Sequence, residues 1–213
     1  ADPRSDKNII REPGNIYSIL QVNGLGSTNA ETVKVTAYDI QGTYTFGFDN
    51  IGDFRVNLQA TYIDEFLFQE SPAVPIRDGA GKYNDPYSAA PNLPSIKANL
   101  RLGWTNGNHS VVSTIHYMDD MPYDGPLFTF MDFFGGTYRP GNIATEGVRA
   151  WTDMDIAYTY RGLSLFDGEA AISIGSRNVF DREAQRSPEF AGVIGELQDP
   201  MGRTIYARFV YDF

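Results

Sequence analysis

Residues 203–213 read RTIYARFVYDF, a stretch in which apolar or small side chains recur at every second position. Two charged residues, Arg208 and Asp212, fall on one side of the extended chain. The other side carries Ile205, Ala207, Phe209, Tyr211 and Phe213. Because side chains of a β-strand point alternately to its two faces, this period of two predicts a strand with one apolar and one mixed, polar face.

The same alternation recurs in six earlier stretches of the chain. They are residues 38–48, 54–62, 95–105, 111–117, 153–161 and 170–176. Most of these runs have about 9–11 residues, the length that a tilted strand needs to cross a bilayer. Strands of soluble proteins average about 5–6 residues. The sequence therefore predicts an all-β protein of seven antiparallel strands, with residues 16–22 as the candidate for an eighth.

The connections between the predicted strands alternate strictly between short and long. The short ones are residues 49–52, 106–108 and 161–168, and the long ones are residues 69–93, 122–148 and 184–202. The Asn-Gly pair at 106–107 is a strong hairpin signal. Membrane β-barrels have short turns on one side and long loops on the other, whereas a soluble sandwich has no reason to sort its loops. We therefore predict up-and-down transmembrane β-barrel strands.

Composition excludes several classes of protein. The chain has 213 residues, a formal net charge of −10, no Cys and two His. An acidic chain does not neutralise phosphates, so we expect no nucleic-acid partner. The absence of Cys excludes thiol chemistry and disulfides, and two His argue against a His-rich metal site. No order of Ser, His and Asp favours catalysis. We expect no enzyme activity, no metal and no cofactor.

Several motifs resemble the carboxyl-terminal part of TonB-dependent outer-membrane receptors. Residues 175–182 read GSRNVFDR, similar to the family's Asn-Leu-Phe-Asp element, with Val179 in place of Leu. Residues 199–213 resemble the family's last strand, which begins with Gly-Arg and ends in Phe. Residues 92–94, Asn-Leu-Pro before a strand, are similar as well. The resemblance covers roughly residues 9–213, and its strength lies in the order and spacing of the motifs.

The resemblance implies a fold and a domain organisation. The family's barrel has 22 strands and a lumen filled by a plug, so seven strands are about a third of it. Residues 31–213 are then the C-terminal barrel part, and the plug, the TonB box and the signal peptide lie outside this chain. Residues 1–30 are then an extracellular loop segment, with a short hairpin as one option. We expect the chain to be a C-terminal fragment.

The resemblance also implies a function and a location. A TonB-dependent receptor takes up a scarce nutrient, such as a siderophore, cobalamin or an oligosaccharide, across the outer membrane of a Gram-negative bacterium. The implied partners are outer-membrane lipid, the barrel assembly machinery, a small-molecule or oligosaccharide ligand, and the TonB complex acting through the missing N-terminal part.

Two sets of site residues follow from the strands. By resemblance, the alternate apolar residues at the C-terminus form the assembly signal, Ala207, Phe209, Tyr211 and Phe213; otherwise they belong to an ordinary last strand. Charged residues opposite the lipid face are predicted to face the lumen: Lys97, Arg101, Asp153, Asp155, Arg161 and Arg208. They either meet the plug or form a solvated face with local ion pairs. Asn178 and Asp181 are predicted to bond their own backbone in a turn that ends a strand.

A third set lies in the long connection 121–148. This connection concentrates aromatic residues among Gly and Pro: Tyr123, Phe128, Phe130, Phe133, Phe134 and Tyr138. Exposed rings at this density can stack on sugar or catecholate rings, so they are the candidate ligand loop. The alternative is that the rings pack on one another and hold the connection together.

Two other readings of the whole chain stay open from the sequence. In the first, residues 16–22 complete a small autonomous eight-stranded outer-membrane barrel, a size at which side chains fill the interior. In the second, the chain is a soluble β-sandwich that binds carbohydrate. The sandwich leaves the sorting of the connections unexplained.

Overall fold

The computed structural model describes residues 9–12, 15–22, 32–69, 75–84, 90–124, 147–187, 192–193 and 197–212. Every regular element in these ranges is a β-strand. Among the described residues, no helix is long and apolar enough to span a membrane. The predicted all-β class is therefore confirmed.

The described strands are numbered in chain order. They are β1 (Ile9–Glu12), β2 (Asn15–Val22), β3 (Thr32–Phe48), β4 (Gly52–Gln69), β5 (Arg77–Asp78), β6 (Tyr83–Asn84), β7 (Ile96–Asn106), β8 (His109–Met118), β9 (Tyr123–Asp124), β10 (Trp151–Leu165), β11 (Gly168–Arg177), β12 (Arg186–Ser187), β13 (Gly192–Val193) and β14 (Thr204–Asp212).

Seven long strands form one antiparallel sheet in the order β14-β11-β10-β8-β7-β4-β3, and the two-residue β5 pairs with β4. Each long strand pairs with the next long strand along the chain, so the sheet is an up-and-down meander. These seven strands are the seven predicted from the sequence. The sheet is open, with β3 and β14 as its two edges.

Two strands, β4 and β10, contain a β-bulge and continue beyond the ends that the sequence predicted. In β4, Ile63 pairs with Ala37 and Glu65 pairs with Thr36, so Asp64 is an extra residue. A second shift separates the pairs Tyr160–Ile172 and Leu163–Ala170 in β10. An extra residue inverts the alternation of faces beyond it. The period of two is therefore interrupted at each bulge, although the strand continues. The short connection predicted at residues 161–168 is in fact residues 166–167.

Short and long connections alternate, as predicted. The short ones are residues 49–51, 107–108 and 166–167, and the long ones are residues 70–95, 119–150 and 178–203. Gly107, the Gly of the Asn-Gly pair, has a φ of 55°, the left-handed conformation that such a turn requires. Because neighbouring long strands are antiparallel, all short turns lie at one end of the sheet and all long connections at the other. We call these the turn end and the loop end.

Strand register gives the sheet one apolar face. Leu58 pairs with Leu100, Leu100 with Ile115, and Ile115 with Met154. The next row on this face is Tyr44, Val56, Leu102, Ser113, Ile156, Ser176 and Ile205. The row after it is Phe46, Phe54, Trp104, Val111, Tyr158, Ile174 and Ala207. The prediction of one apolar face is thereby confirmed across all seven strands.

The opposite face is polar and is laced by side-chain hydrogen bonds between strands. Thr61 Oγ1 donates to Asp39 Oδ1 at 2.6 Å, and Asn57 Nδ2 donates to Thr43 Oγ1 at 2.7 Å. Neighbouring strands thus satisfy each other's polar groups on this face.

Strands β1 and β2 pair with each other in an antiparallel hairpin with two register shifts. Neither strand extends the main sheet. Residues 16–22 thus lie in a hairpin partner of β1 and do not form an eighth strand of the meander.

Candidate functional site

The loop end of the polar face carries a small hydrophobic core. Its buried members are Tyr83, Met118, Met121, Val148 and Trp151, with Tyr123 and Leu197 packed against them. Met118 and Trp151 are a directly opposed pair of the main sheet. The other members come from the long connections, so the core joins these connections to the sheet.

Backbone pairing links the first two long connections. Strands β6 and β9 are parallel, with Tyr83 opposite Tyr123, and the Tyr83 N–H donates to the Pro122 carbonyl at 3.0 Å. Met121 and Val148 exchange two backbone hydrogen bonds of 2.8 and 2.7 Å. Two-residue strands have little stability alone, so the core beneath them holds this pairing in place.

Two glutamines attach the third long connection. Gln185 Oε1 accepts from the Arg149 N–H at 2.9 Å, and Gln185 Nε2 donates to the Gly147 carbonyl at 2.9 Å. Gln198 Oε1 accepts from the Gln185 N–H at 2.6 Å, and Gln198 Nε2 donates to the Arg149 carbonyl at 3.2 Å. All three long connections thereby meet in one hydrogen-bonded layer at the loop end.

The element 178–182 ends β11 in a turn that the Asn178 side chain bonds, as the sequence predicted for Asn178 but not for Asp181. Asn178 Oδ1 accepts from the Arg182 N–H at 2.9 Å, and Asn178 Nδ2 donates to the Arg182 carbonyl at 2.8 Å. Asn178 is buried and has a φ of 47°, a conformation that Asn tolerates better than most residues. Asp181 Oδ1 accepts from the Arg203 N–H at 2.8 Å, which ties the turn to the approach of β14.

We expect Asn178→Ala to destabilise the folded chain by about 1–3 kcal/mol, because it leaves the half-buried Arg182 N–H and carbonyl without their side-chain partner. Guanidinium unfolding monitored by tryptophan fluorescence measures the change. Asn50→Ala, in an exposed short turn, is the matched control, and we expect a change of no more than about 0.5 kcal/mol. Equal effects of the two substitutions would contradict the role given to the Asn178 turn.

A cavity of about 430 Å³ lies on the polar face beside the small core. Its lining includes Lys97, Asn99, His116, Trp151, Asp153 and Gln198. The floor comes from β7, β8 and β10, and residues 197–200 of the third long connection form a wall. The strands thus position the ionisable groups, and the third long connection lies beside them.

One imidazole and two carboxylates converge beside this cavity. One ligand-type atom each from His116, Asp153 and Asp155 lies within 4.8 Å of the others. His116 is directly opposite Asp153 in the β8–β10 ladder, and Asp155 follows two residues later on the same face. His116 Nε2 is 3.7 Å from Asp155 Oδ2.

No protein-family model matches this chain, and no curated protein matches it. The assignment of a function therefore depends on the residues and their arrangement.

The predicted lumen-facing charges share the polar face. Register places Lys97, Arg101, Asp153, Asp155 and Arg208 on it. Arg161, at the bulge of β10, reaches the same face and donates to Ser110 Oγ at 3.0 Å. Arg101 lines a second hollow of about 960 Å³ near the turn end, together with Arg55 and Asn57. Only Asp153 and Asp155 of this set come together in one cluster.

The predicted assembly residues lie on the edge strand β14. Ala207, Phe209 and Tyr211 share its apolar face, opposite Ile174, Ile172 and Ala170 of β11. Tyr211 Oη donates to the Leu165 carbonyl at 3.2 Å. Phe213 lies outside the described residues.

One residue of the predicted ligand loop can be placed. The Tyr123 ring centre is 5.9 Å from that of Tyr83, and Tyr123 packs against the small core. Tyr123 thus packs against a ring of the first long connection. Phe128, Phe130, Phe133, Phe134 and Tyr138 lie outside the described residues.

Sequence reasoning missed His116 and Trp151 as parts of a site. His116 lies in no motif, and 37 positions of chain separate it from Asp153, its partner in the next strand. Their placement on the polar face could have been found by aligning the predicted strands 111–117 and 153–161 as neighbours. Such an alignment needs the register, which the alternation alone does not fix.

Proposed function

We propose that this chain forms the C-terminal wall of an outer-membrane β-barrel, as part of a TonB-dependent receptor that takes up a scarce nutrient. The observation that carries the proposal is the meander of long strands with its sorted connections. Its turn end has only short turns and its loop end has only long connections, the arrangement expected of a membrane barrel.

The apolar face supports contact with lipid. Large apolar side chains on it are strongly exposed, among them Ile40 at 60%, Tyr44 at 67% and Ile205 at 72%. Monomeric soluble proteins rarely expose a continuous apolar surface of this extent. A bilayer would cover this face, while the polar face would meet water or a plug.

Aromatic residues lie at both margins of the apolar face. At the loop end, Tyr62 Oη donates to Asp64 Oδ1 at 3.2 Å and Tyr117 Oη donates to Asp119 Oδ1 at 3.1 Å. At the turn end, Trp104 Nε1 donates to the Ile51 carbonyl at 2.7 Å. Tyr and Trp with an apolar ring and a hydrogen-bonded tip suit the membrane–water interface.

The distance between these margins fits a bilayer. Along β4, Tyr62 and Phe54 mark the two margins, and eight residues of strand span about 27 Å. A tilt of about 40° reduces this to about 21 Å, close to the 25 Å height of the apolar band in outer-membrane barrels.

The alternative readings have less support. The eight-stranded barrel needs residues 16–22 at an edge of the main sheet, whereas β2 pairs with β1. A sandwich needs a second sheet over the apolar face, and the described residues contain no such covering sheet. An open sheet with edges β3 and β14 fits a portion of a larger barrel, in which further strands pair with both edges.

Quenching of tryptophan fluorescence by brominated lipid tests the membrane contact. The chain has two Trp: Trp104 on the apolar face and the buried Trp151 on the polar face. In Trp151→Phe, where Trp104 is the only tryptophan, we expect brominated acyl chains to quench most of the emission. In Trp104→Phe, where Trp151 remains, we expect little quenching. Equal quenching in both variants, or none in either, would contradict the proposal.

Uptake measurements test the transport step. The full-length protein that contains this chain is expressed in a Gram-negative host, with and without TonB. The probes are a labelled ferric catecholate siderophore, labelled cobalamin and a labelled maltodextrin. We expect the protein in the outer-membrane fraction and TonB-dependent accumulation of one of the probes. A membrane-inserted protein with no TonB-dependent uptake of any probe would oppose the transport assignment while leaving the barrel intact.

A further inference from the structure

We propose that His116, Asp153 and Asp155 form a binding site for a divalent transition-metal ion on the polar face. The inference goes beyond nutrient uptake and does not depend on it, because all three residues belong to the paired strands β8 and β10. Both carboxylates and the imidazole are held in place by hydrogen bonds to groups outside the cluster.

The hydrogen bond of His116 orients its ring toward the carboxylates. Nδ1 of His116 lies 2.6 Å from Asn99 Oδ1, and an amide oxygen can only accept, so the proton is on Nδ1. Nε2, the other ring nitrogen, faces Asp155 Oδ2 at 3.7 Å and is the atom through which this ring would bind a metal. A cation between these two atoms would form a bond with each of them. Metal-binding histidines commonly have their second nitrogen fixed in this way.

Each carboxylate is held by a donor outside the cluster. Asp155 Oδ1 accepts from the Asn178 N–H at 2.9 Å, which leaves Oδ2 toward His116. Asp153 Oδ2 accepts from Trp151 Nε1–H. These bonds fix the carboxylate planes, and each leaves one oxygen for a metal. The outer partners come from the small core and from the turn at Asn178, so both packed features support the cluster.

The two carboxylates form no ion pair with Lys or Arg in the described part of the chain, although Lys97 lines the same cavity as Asp153. Two carboxylates on one strand, separated by one residue, repel each other across the same face. A divalent ion bound to both would neutralise them and add the imidazole bond.

The donor set selects the class of metal. One imidazole nitrogen with two carboxylate oxygens suits Zn²⁺, Co²⁺, Mn²⁺ or Ni²⁺ better than Ca²⁺ or Mg²⁺, which prefer oxygen alone. Tetrahedral zinc places neighbouring ligand atoms about 3.3 Å apart, so small side-chain rotations bring Nε2 and Oδ2 from 3.7 Å to bonding geometry. Coordination positions not taken by protein would open into the 430 Å³ cavity that His116 and Asp153 line.

Zinc titration of the folded 213-residue chain tests the site. The chain is folded in detergent micelles, Zn²⁺ binding is measured by calorimetry, and Co²⁺ reports coordination through its visible absorption. We expect one ion per chain, and an affinity at least about tenfold weaker in each of His116→Gln, Asp153→Asn and Asp155→Asn. These amide variants keep acceptor oxygens, and circular dichroism checks that each retains its β-structure.

The second histidine provides a matched control. His109 lies on the apolar face at the turn end, with Nδ1 2.7 Å from Tyr158 Oη. His109→Gln should therefore bind Zn²⁺ as the unmodified chain does. In the unmodified chain, nitrogen NMR should show Zn²⁺ shifting the His116 Nε2 resonance and not those of His109. Absence of Zn²⁺ binding by the folded chain, or full binding by the three site variants, would overturn the proposal.

Discussion

Replacement of Leu58 by Lys in lipid vesicles is expected to lower the free energy of unfolding by about 2–4 kcal/mol, the cost of a cation at the bilayer midplane. Leu58 lies halfway between Tyr62 and Phe54, which mark the margins of the apolar band on β4, and its side chain is 40% exposed. Without a bilayer, an exposed Lys at this position would be nearly neutral in stability. The size of the effect therefore reports whether lipid covers the face.

The adjacent residue provides the control for this experiment. Gln59 is exposed on the same strand but lies on the polar face, opposite Gln41 and Asn99. We expect Gln59→Lys to change stability by no more than about 0.5 kcal/mol. Guanidinium unfolding of both variants in the same vesicles measures the difference, which corresponds to about 30- to 700-fold in the unfolding equilibrium. Equal and small effects would oppose a lipid-facing role for the apolar face.

The main sheet could be predicted because its information is local. Alternation along each strand is visible in the sequence, and the Asn-Gly turn at 106–107 sets the β7–β8 hairpin. The alternation of short and long connections predicts an up-and-down meander, and this prediction does not require the register of the strands. These features depend on neighbours in the chain, so one sequence contains them.

The strand ends could not be predicted because bulges invert the pattern. Beyond Asp64 the faces of β4 exchange, so Phe66 and Phe68 leave the side that carries Tyr62. Phe68 is then buried, and the guanidinium carbon of Arg77 lies 5.5 Å from its ring centre. A period of two therefore predicts that the strand ends at the bulge, although the ladder continues to Gln69.

Two of the three residues of the candidate site could be placed on the polar face from the sequence. Asp153 and Asp155 were predicted to lie on the polar face because they alternate with the apolar residues Met154 and Ile156. His116 was not, because it becomes a neighbour of Asp153 only through the register of β8 with β10. The intervening connection, residues 119–150, is long, and no local signal fixes which residues it brings opposite each other. The count of two His argued against a His-rich metal site, and a mixed cluster of one His and two Asp was not considered.

The small core is the feature on which the loop end depends most. Its members from the long connections lie in two-residue strands or isolated bridges, where no periodicity marks them. Tyr83 is 1% exposed and is the largest of its fully buried side chains. We expect Tyr83→Ala to destabilise the loop end by about 3–5 kcal/mol, because it removes a buried ring and leaves a cavity.

The loss should be local, and amide hydrogen exchange can detect it. The Met121 and Val148 amides, which bond each other, should exchange much faster in Tyr83→Ala, since opening of this layer then costs less. Amides between β7 and β8 near Trp104 and Val111 belong to the ladder at the turn end and should keep their protection. Phe166→Ala, at a 99% exposed side chain in a short turn, is the control and should leave both regions unchanged.

If Met121 and Val148 stay protected in Tyr83→Ala, the long connections are held by the glutamine bonds of Gln185 and Gln198 rather than by the core. If the whole sheet loses protection together, the loop end and the meander form one cooperative unit, and residues 147–149 could not open without unfolding β10.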